Sequence, residues 1–375
     1  MYTYTFCSSR GFVTPGAMTP EEGSCSLVSI SSVVHTLREE KIVPTSRDVA
    51  QAAGVSQATV SRALNRPETV SQKTRERVQA AVQTLGYHPH SGAIAMKTQR
   101  TKTIGVVVSE LSNPFFQEIF ETLSQEFAKA GSRVIVWDSA LHERDAIRAL
   151  QERSVDGVIM SAWDEDAQEM RDILETGLPV VLLNRTAPKG SFDSVTSDNH
   201  NGGQLVADYL HQHGKHHLVF IQGNPHTSTS MERLNGFRAG LHALNQPSPT
   251  VLNGEFSFEK SFAVTRDFLD QHGAPDAFFC ANDYMAFGVL NAVKAAGMSV
   301  PEDVWVIGYD NVSQSDWPIL DLTTVRQGSR QMAQLGAQKL LNRIENPTTP
   351  AVKTILPVQL EIRGSSENAP FNHEN

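Results

Sequence analysis

Cysteine is scarce: Cys7, Cys25 and Cys280 are the only three in 375 residues. They share no metal-ligand spacing and are odd in number, which argues against a disulfide framework or a structural zinc site and fits a reducing compartment. Long apolar runs are missing too. Stretches such as Leu178 to Leu183 fall far short of the ~20 residues that span a bilayer. The first residues show neither a basic segment followed by an apolar core nor a small-residue cleavage site, so export is not expected and a cytoplasmic location is. Gly-rich phosphate loops, nucleophile elbows and metal motifs are also absent, so neither catalysis nor a cofactor is expected.

An excess of positive charge is lacking in the chain as a whole, whose net charge is −9. The deficit is unevenly spread. Pro44 to Thr103 carries nine Lys or Arg against three Asp or Glu, and everything after it carries −14. A basic module on an acidic body implies oriented attachment to a polyphosphate, with the body repelled from it.

Within the basic module, Thr45 to Asn65 reads as two short helices joined at Gly54 and Val55. Thr45 or Ser46 can cap the first, and Val49, Ala50 and Ala53 recur at helical spacing. Gly54 supplies the positive φ that ends it. Ser56 caps a second helix whose Val60, Ala63 and Leu64 pack inward while Ala58, Thr59, Ser61 and Arg62 form a small, polar, cationic face. This is the geometry of a helix-turn-helix offered to the DNA major groove, with an ordinary helical hairpin as the alternative. Ser71 opens a third helix with Val78, Ala81, Val82 and Leu85 at core spacing, ended by Gly86; Lys73, Arg75 and Arg77 lie on or near its outer side, as phosphate contacts or a solvated face.

Residues 1–43 are rich in Ser, Thr and Gly and read as a disordered extension; translation starting at Val43 would make them non-native. Tyr87 to Thr103 reads as a linker with a helical centre at Ala93 to Met96 that orders only when held. From Ile104 apolar strand runs alternate with amphipathic helices. The strand candidates are Ile104–Val108, Val134–Trp137, Gly157–Met160, Val180–Leu183, Leu218–Gln222, Ala277–Cys280 and Val304–Tyr309. The alternation predicts parallel sheets of βαβ units, and so many strands predict two α/β subdomains with a cleft between them.

Val55-Ser56 with Ala58-Thr59-Val60-Ser61-Arg62, Val70-Ser71 with Thr74-Arg75, Leu85-Gly86-Tyr87 with Pro89, Ile104-Gly105-Val106, Asn113-Pro114-Phe115-Phe116, Arg233 with Gly236-Phe237, Asn282-Asp283 and Ile307-Gly308-Tyr309-Asp310 together resemble the lactose and galactose repressor (LacI/GalR) family of bacterial transcription factors. The resemblance implies a cytoplasmic homodimer with a helix-turn-helix headpiece at 44–89, a hinge helix and linker at 90–103, and a core at 104–363 similar to type I periplasmic binding proteins. It implies three crossings between the halves of that core, near Ser197 to Asn199, Val325 to Gln327 and Leu356 to Val358. The N-subdomain is then 104–198 with 327–356 and the C-subdomain 199–325 with 357–363, followed by a polar tail at 364–375 without the leucine heptads of tetrameric members.

The resemblance also implies site residues. Ser56, Gln57, Ala58, Thr59, Ser61 and Arg62 are the expected DNA contacts, Gln57 suiting an adenine edge and Ala58 a thymine methyl. Met96 stands where the family places a leucine wedge in the minor groove, or packs between two hinge helices. Phe115, Phe116, Met160, Asn184, Arg185, Thr229, Arg233, Phe256, Asn282 and Asp310 are the expected contacts of a small effector: a sugar, sugar acid or similar molecule. Phe115 and Phe116 can instead be core aromatics, and Asp310 can hold a loop. Arg185 beside Arg233 admits a carboxylated effector, although arginine also binds neutral sugars. The rival functions are a sugar-binding transport protein and an enzyme of sugar metabolism, the latter drawing on His211, His213, His216 and His217 around Gly214, which also suit a solvated helix end.

Overall fold

The computed structural model describes residues 44–88, 100–139, 148–149, 151–161, 177–186 and 192–367. The chain divides into two compact units, Met1–Pro89 and His90–Asn375.

In the first unit α1 (Ser46–Ala53) starts in a capping box: Thr45 Oγ1 accepts from the Asp48 amide, and the Asp48 carboxylate accepts from the Thr45 amide at 2.8 Å. These bonds from Thr45 also hold the Asp48 carboxyl below its usual range. Gly54, at φ 61, ends the helix. α2 (Gln57–Asn65) is capped by Ser56, and α3 (Gln72–Leu85) runs from Ser71 to Gly86. Val49, Ala50, Ala53, Val60, Ala63, Val78, Ala81 and Tyr87 form the core. Two of the cations on α3 are partly engaged within the bundle: Arg75 donates to the Pro67 carbonyl at 2.6 Å and Arg77 to the Gly54 carbonyl at 3.4 Å. Met96 and the expected hinge helix lie outside the described residues.

The second unit is α/β. Its strands are β1 (Thr103–Val108), β2 (Arg133–Asp138), β3 (Gly157–Met160), β4 (Val180–Leu183), β5 (Asp193–Ser197), β6 (Leu218–Gln222), β7 (Thr250–Asn253), β8 (Ala277–Cys280), β9 (Trp305–Asp310), β10 (Thr323–Arg326), β11 (Lys353–Leu356) and β12 (Gln359–Glu361). Its principal helices are α4 (Pro114–Lys129), α5 (Asn199–Gln212), α6 (Ser228–Ala243), α7 (Phe258–His272), α8 (Asp283–Ala295) and α9 (Ser329–Glu345). One sheet runs β11-β5-β4-β3-β1-β2 and is wholly parallel. The other runs β12-β10-β9-β8-β6-β7, parallel except where β12 meets β10. The chain passes between the sheets after Ser197, after Arg326 and after Leu356.

The central strands are buried on both faces, as helix-covered parallel sheets require. Ser365 and Ser366, which the sequence places in a polar tail, are buried: Ser365 donates to the Val306 carbonyl at 2.6 Å and Ser366 bonds Tyr209 Oη at 2.9 Å. They serve as side-chain hydrogen-bond partners of the second sheet.

Candidate functional site

Strand ends of both sheets converge on one cleft in the second unit. From the first sheet's side, the turn after β1 brings Ser109, Glu110 and Asn113, the start of α4 brings Phe115 and Phe116, and the end of β4 brings Asn184 and Arg185. From the second come Thr229 and Arg233 on α6, Phe256 beyond β7, Asn282 after β8 and Asp310 at the end of β9. Nine of the ten expected effector residues therefore line it. The free cavity is about 20 Å³, room for about one water, so a sugar-sized ligand has to part its walls.

Met160 is the tenth, and it lies elsewhere. Successive side chains of a strand point to opposite faces; Ile159 joins the main core, whereas Met160 packs with Val107, Val158, Val180 and Leu182. Phe115 and Phe116 line the cleft and are core aromatics at once, meeting edge to face at 5.4 Å. Asn113 caps α4 by accepting from the Phe115 amide, fixing where both rings begin. Phe256 holds a left-handed backbone, φ 60. Its ring lies so close over Gly223 that a Cβ there would stand 2.2 Å from a ring carbon.

Among the cleft residues Arg233 is the most heavily engaged side chain. Its Nε donates to Asn199 Oδ1 at 2.8 Å, its Nη1 to the Ala281 carbonyl, and its Nη2 to Gln327 Oε1 at 3.4 Å. Asp310 lies 3.5 Å from Nη1, and the guanidinium sits 3.7 Å from the centre of the Tyr309 ring. Gln327 also donates to Asp310 and accepts from Ser197 Oγ at 2.9 Å. Ser197, Asn199 and Gln327 sit where the chain leaves one sheet for the other, so the cleft and its connecting strands share one polar network. The resemblance implies crossings at these residues but no role for them in the site; a Ser, an Asn and a Gln at the crossings are the only signal of one in the sequence.

Burial pushes the Asp310 carboxyl well above the usual range, against the pull of Arg233. Burial, helped by Arg233, brings the Arg185 guanidinium down to about 10, so it stays charged near neutrality. Asn282 accepts from the Met285 amide at 2.9 Å and caps α8. Its neighbour Asp283 accepts from the Val312 amide at 2.9 Å, Ser315 Oγ at 2.7 Å and Thr324 Oγ1 at 2.5 Å, docking the loop that follows Asp310.

In the first unit Ser56, Gln57, Ala58 and Arg62 are exposed, and Thr59 and Ser61 are half-buried. Gln57 donates to Ser46 Oγ at 2.6 Å and Arg62 to the Ala58 carbonyl at 3.4 Å. Both bonds are exposed and local, so these side chains can be re-aimed. The histidines are engaged as at a solvated helix end: Gln246 bridges His211 and His216, and His213 bonds the Tyr209 carbonyl. Among the described residues no group of three His, Cys, Asp or Glu is placed to hold a metal.

Residues 45–90 match the model of bacterial regulatory proteins of the lacI family, and residues 207–366 that of the periplasmic binding protein-like domain. The HTH-type transcriptional repressor PurR of Photobacterium profundum is 31% identical over 80% of this chain and 92% of its own length. Among solved structures, the complex of the transcriptional regulator CelR with cellobiose is 31% identical, with a TM-score of 0.66 over 86% of this chain and all of that one. The Lac repressor dimer bound to operator and the anti-inducer ONPF is 28% identical, with a TM-score of 0.75 over 86% of this chain and 99% of that one.

Proposed function

Because the chain belongs to the lacI family of bacterial regulatory proteins, whose relatives here are transcriptional repressors rather than enzymes, we propose that it is a cytoplasmic homodimer that represses transcription from a palindromic operator under control of an effector in its cleft. The observation that carries the DNA half is the face of α2: Gln57, Ala58 and Arg62 stand exposed on a capped helix held by a three-helix core. Gln57 reads an adenine edge, Ala58 meets a thymine methyl, and Thr59, Ser61 and Arg62 fix the helix to phosphates or adjoining bases. Met96 parts a base step at the operator centre.

The effector half draws on the converging strand ends and on the relatives, one of them solved with cellobiose. A ligand that parts the cleft walls acts on Arg233, Asp310 and Gln327, and through Gln327 on the strands joining the two halves. Binding and subdomain orientation are then linked, and operator affinity changes by the ligand's preference between the two orientations. The dimer draws on exposed Trp317 and Ile319 in the second sheet's half, apolar groups that a second copy would cover.

The test is selection of duplexes from a randomised pool with the purified chain at stated salt, since affinity to DNA has no meaning without it. An enriched palindrome of two half-sites is expected, and Met96→Ala should weaken binding to it much more than binding to random DNA. Sequence-blind binding, with or without candidate sugars, would remove the regulator reading.

A further inference from the structure

On the reading that the cleft holds the effector, we infer that the effector is an acidic sugar: a polyhydroxylated molecule whose carboxylate or phosphate docks on Arg185 while an adjacent hydroxyl donates to Asn184. Arg185 is 4% exposed. Its Nη1 donates to the Asn184 carbonyl at 2.7 Å and to Thr229 Oγ1 at 3.3 Å, while its buried Nε has no hydrogen-bond partner. Among the described residues no carboxylate lies within ion-pair distance of it. Asp310 reaches this guanidinium only from beyond ion-pair distance, while Arg233 repels it, so its burial is costly in solvation, and an anionic ligand relieves that cost.

The other charges of the cleft do not fill that role. Arg233 already takes Asp310, together with three neutral acceptors, and Gln327 donates to the same carboxylate. Glu110 is only half-buried, accepts from Ser112 Oγ and lies at the solvated side of the site. Asp283 is behind the cleft with its oxygens spent on Val312, Ser315 and Thr324. The buried part of the site therefore holds two guanidinium groups against a single carboxyl group. Thr229 and Arg233 are four residues apart and share a face of α6, so Arg185 is held against the same wall as Arg233 and cannot swing to solvent without breaking its Thr229 bond.

A second orphan sharpens the chemistry. Asn184 Oδ1 is buried and unpaired, and the residue is fixed in a left-handed backbone at φ 54. The ligand must bring an anionic acceptor for Arg185 and, beside it, a donor for Asn184. A neutral sugar can accept hydrogen bonds from the guanidinium but brings no opposite charge, and a bare carboxylate leaves the amide oxygen unmet; a hydroxyl next to an acid group meets both. The guanidinium fork suits a carboxylate or a phosphate alike.

The experiment is calorimetric titration of the full chain with matched pairs: glucose against gluconate, galactose against galacturonate, and glucose against glucose 6-phosphate. At least one acid should bind on the order of tenfold or more tightly than its neutral parent, the scale of a hydrogen bond to a charged group, and the arm that responds distinguishes carboxylate from phosphate. Arg185→Gln should erase the preference and raise the melting temperature of the ligand-free protein, and Arg185→Lys should keep a weaker preference for the acid. Acids that bind no better than their neutral parents, acids that do not bind, or an Arg185→Gln protein less stable without ligand would each overturn the inference. Calorimetry involves no DNA: an acid that binds with this preference but leaves operator retention unchanged would instead overturn the effector reading.

Discussion

Asp283 shows how a residue that does not line the cleft can set its electrostatics. Its carboxylate anchors the loop after Asp310 through three hydrogen bonds, yet burial outweighs these and raises its pKa. It also helps to raise that of Asp310. Both groups bind protons more tightly folded than unfolded, so the stability they contribute is full below the unfolded carboxyl value and is lost as pH rises through the folded one. Asp283→Asn keeps an acceptor for Val312 but cannot titrate. In urea unfolding from about pH 4 to about pH 7.5, wild type should lose stability relative to Asp283→Asn as the pH rises; parallel profiles would remove Asp283 as the source. The network around Arg233 was legible only in part. Arg233, Asn282 and Asp310 announce themselves as polar residues in recognisable motifs, whereas Ser197, Asn199 and Gln327 are ordinary until the fold brings three separate stretches to one guanidinium.

The elements divide by why their residues are buried. β1, β3, β4, β6, β8 and β9 are apolar runs, and the sequence places them close to where they lie. β5, Asp193-Ser194-Val195-Thr196-Ser197, is equally buried and was not among the strand candidates. Its polar groups are answered by distant partners: Asp193 takes Arg343 at 2.6 Å and the Val352 amide at 2.9 Å, and Ser197 takes Gln327. β10 is similar, with Thr323 and Thr324 bonded to Ser365 and Asp283. No local periodicity reveals partners so far away in sequence. Close helix contact is likewise carried by absent side chains. A Cβ at Gly236 would stand 1.9 Å from the His200 carbonyl oxygen, and one at Gly203 would stand 2.3 Å from that of Arg233, so α5 and α6 touch backbone to backbone. Gly236→Ala must drive these helices apart and carry Arg233 with them. A loss of roughly 1–3 kcal/mol or more is expected in urea unfolding, the range for overpacking a core, together with weaker effector binding. A variant as stable as wild type would show that the helices can separate freely.

Within the whole molecule a headpiece-and-linker segment of net +6, residues 44–103, is followed by a body of net −14, residues 104–375. Affinity for random DNA should therefore come from this segment's cations and fall with salt in proportion to how many of them meet phosphates; in the proposed dimer, specificity then depends on two headpieces acting together. Ile319 tests that dependence cleanly. It is 83% exposed in the single chain, next to Trp317 at 53%, and both border a groove lined by Leu290, Met298 and Val300. Because the side chain is in solvent, Ile319→Asp should leave the fold of one chain unharmed. In a dimer that covers this face, the same change places a carboxylate in an apolar contact, where its solvation is lost without a partner. The sedimentation mass should then halve at concentrations where wild type is dimeric. Operator affinity should fall by roughly 10²–10⁴, the advantage lost when a second binding event is no longer intramolecular. Binding to random DNA at low salt should change far less, since single headpieces still meet phosphates. A variant that remains dimeric would move the interface away from Ile319. A monomer that still holds the palindrome with wild-type affinity would instead break the link between dimerisation and operator reading.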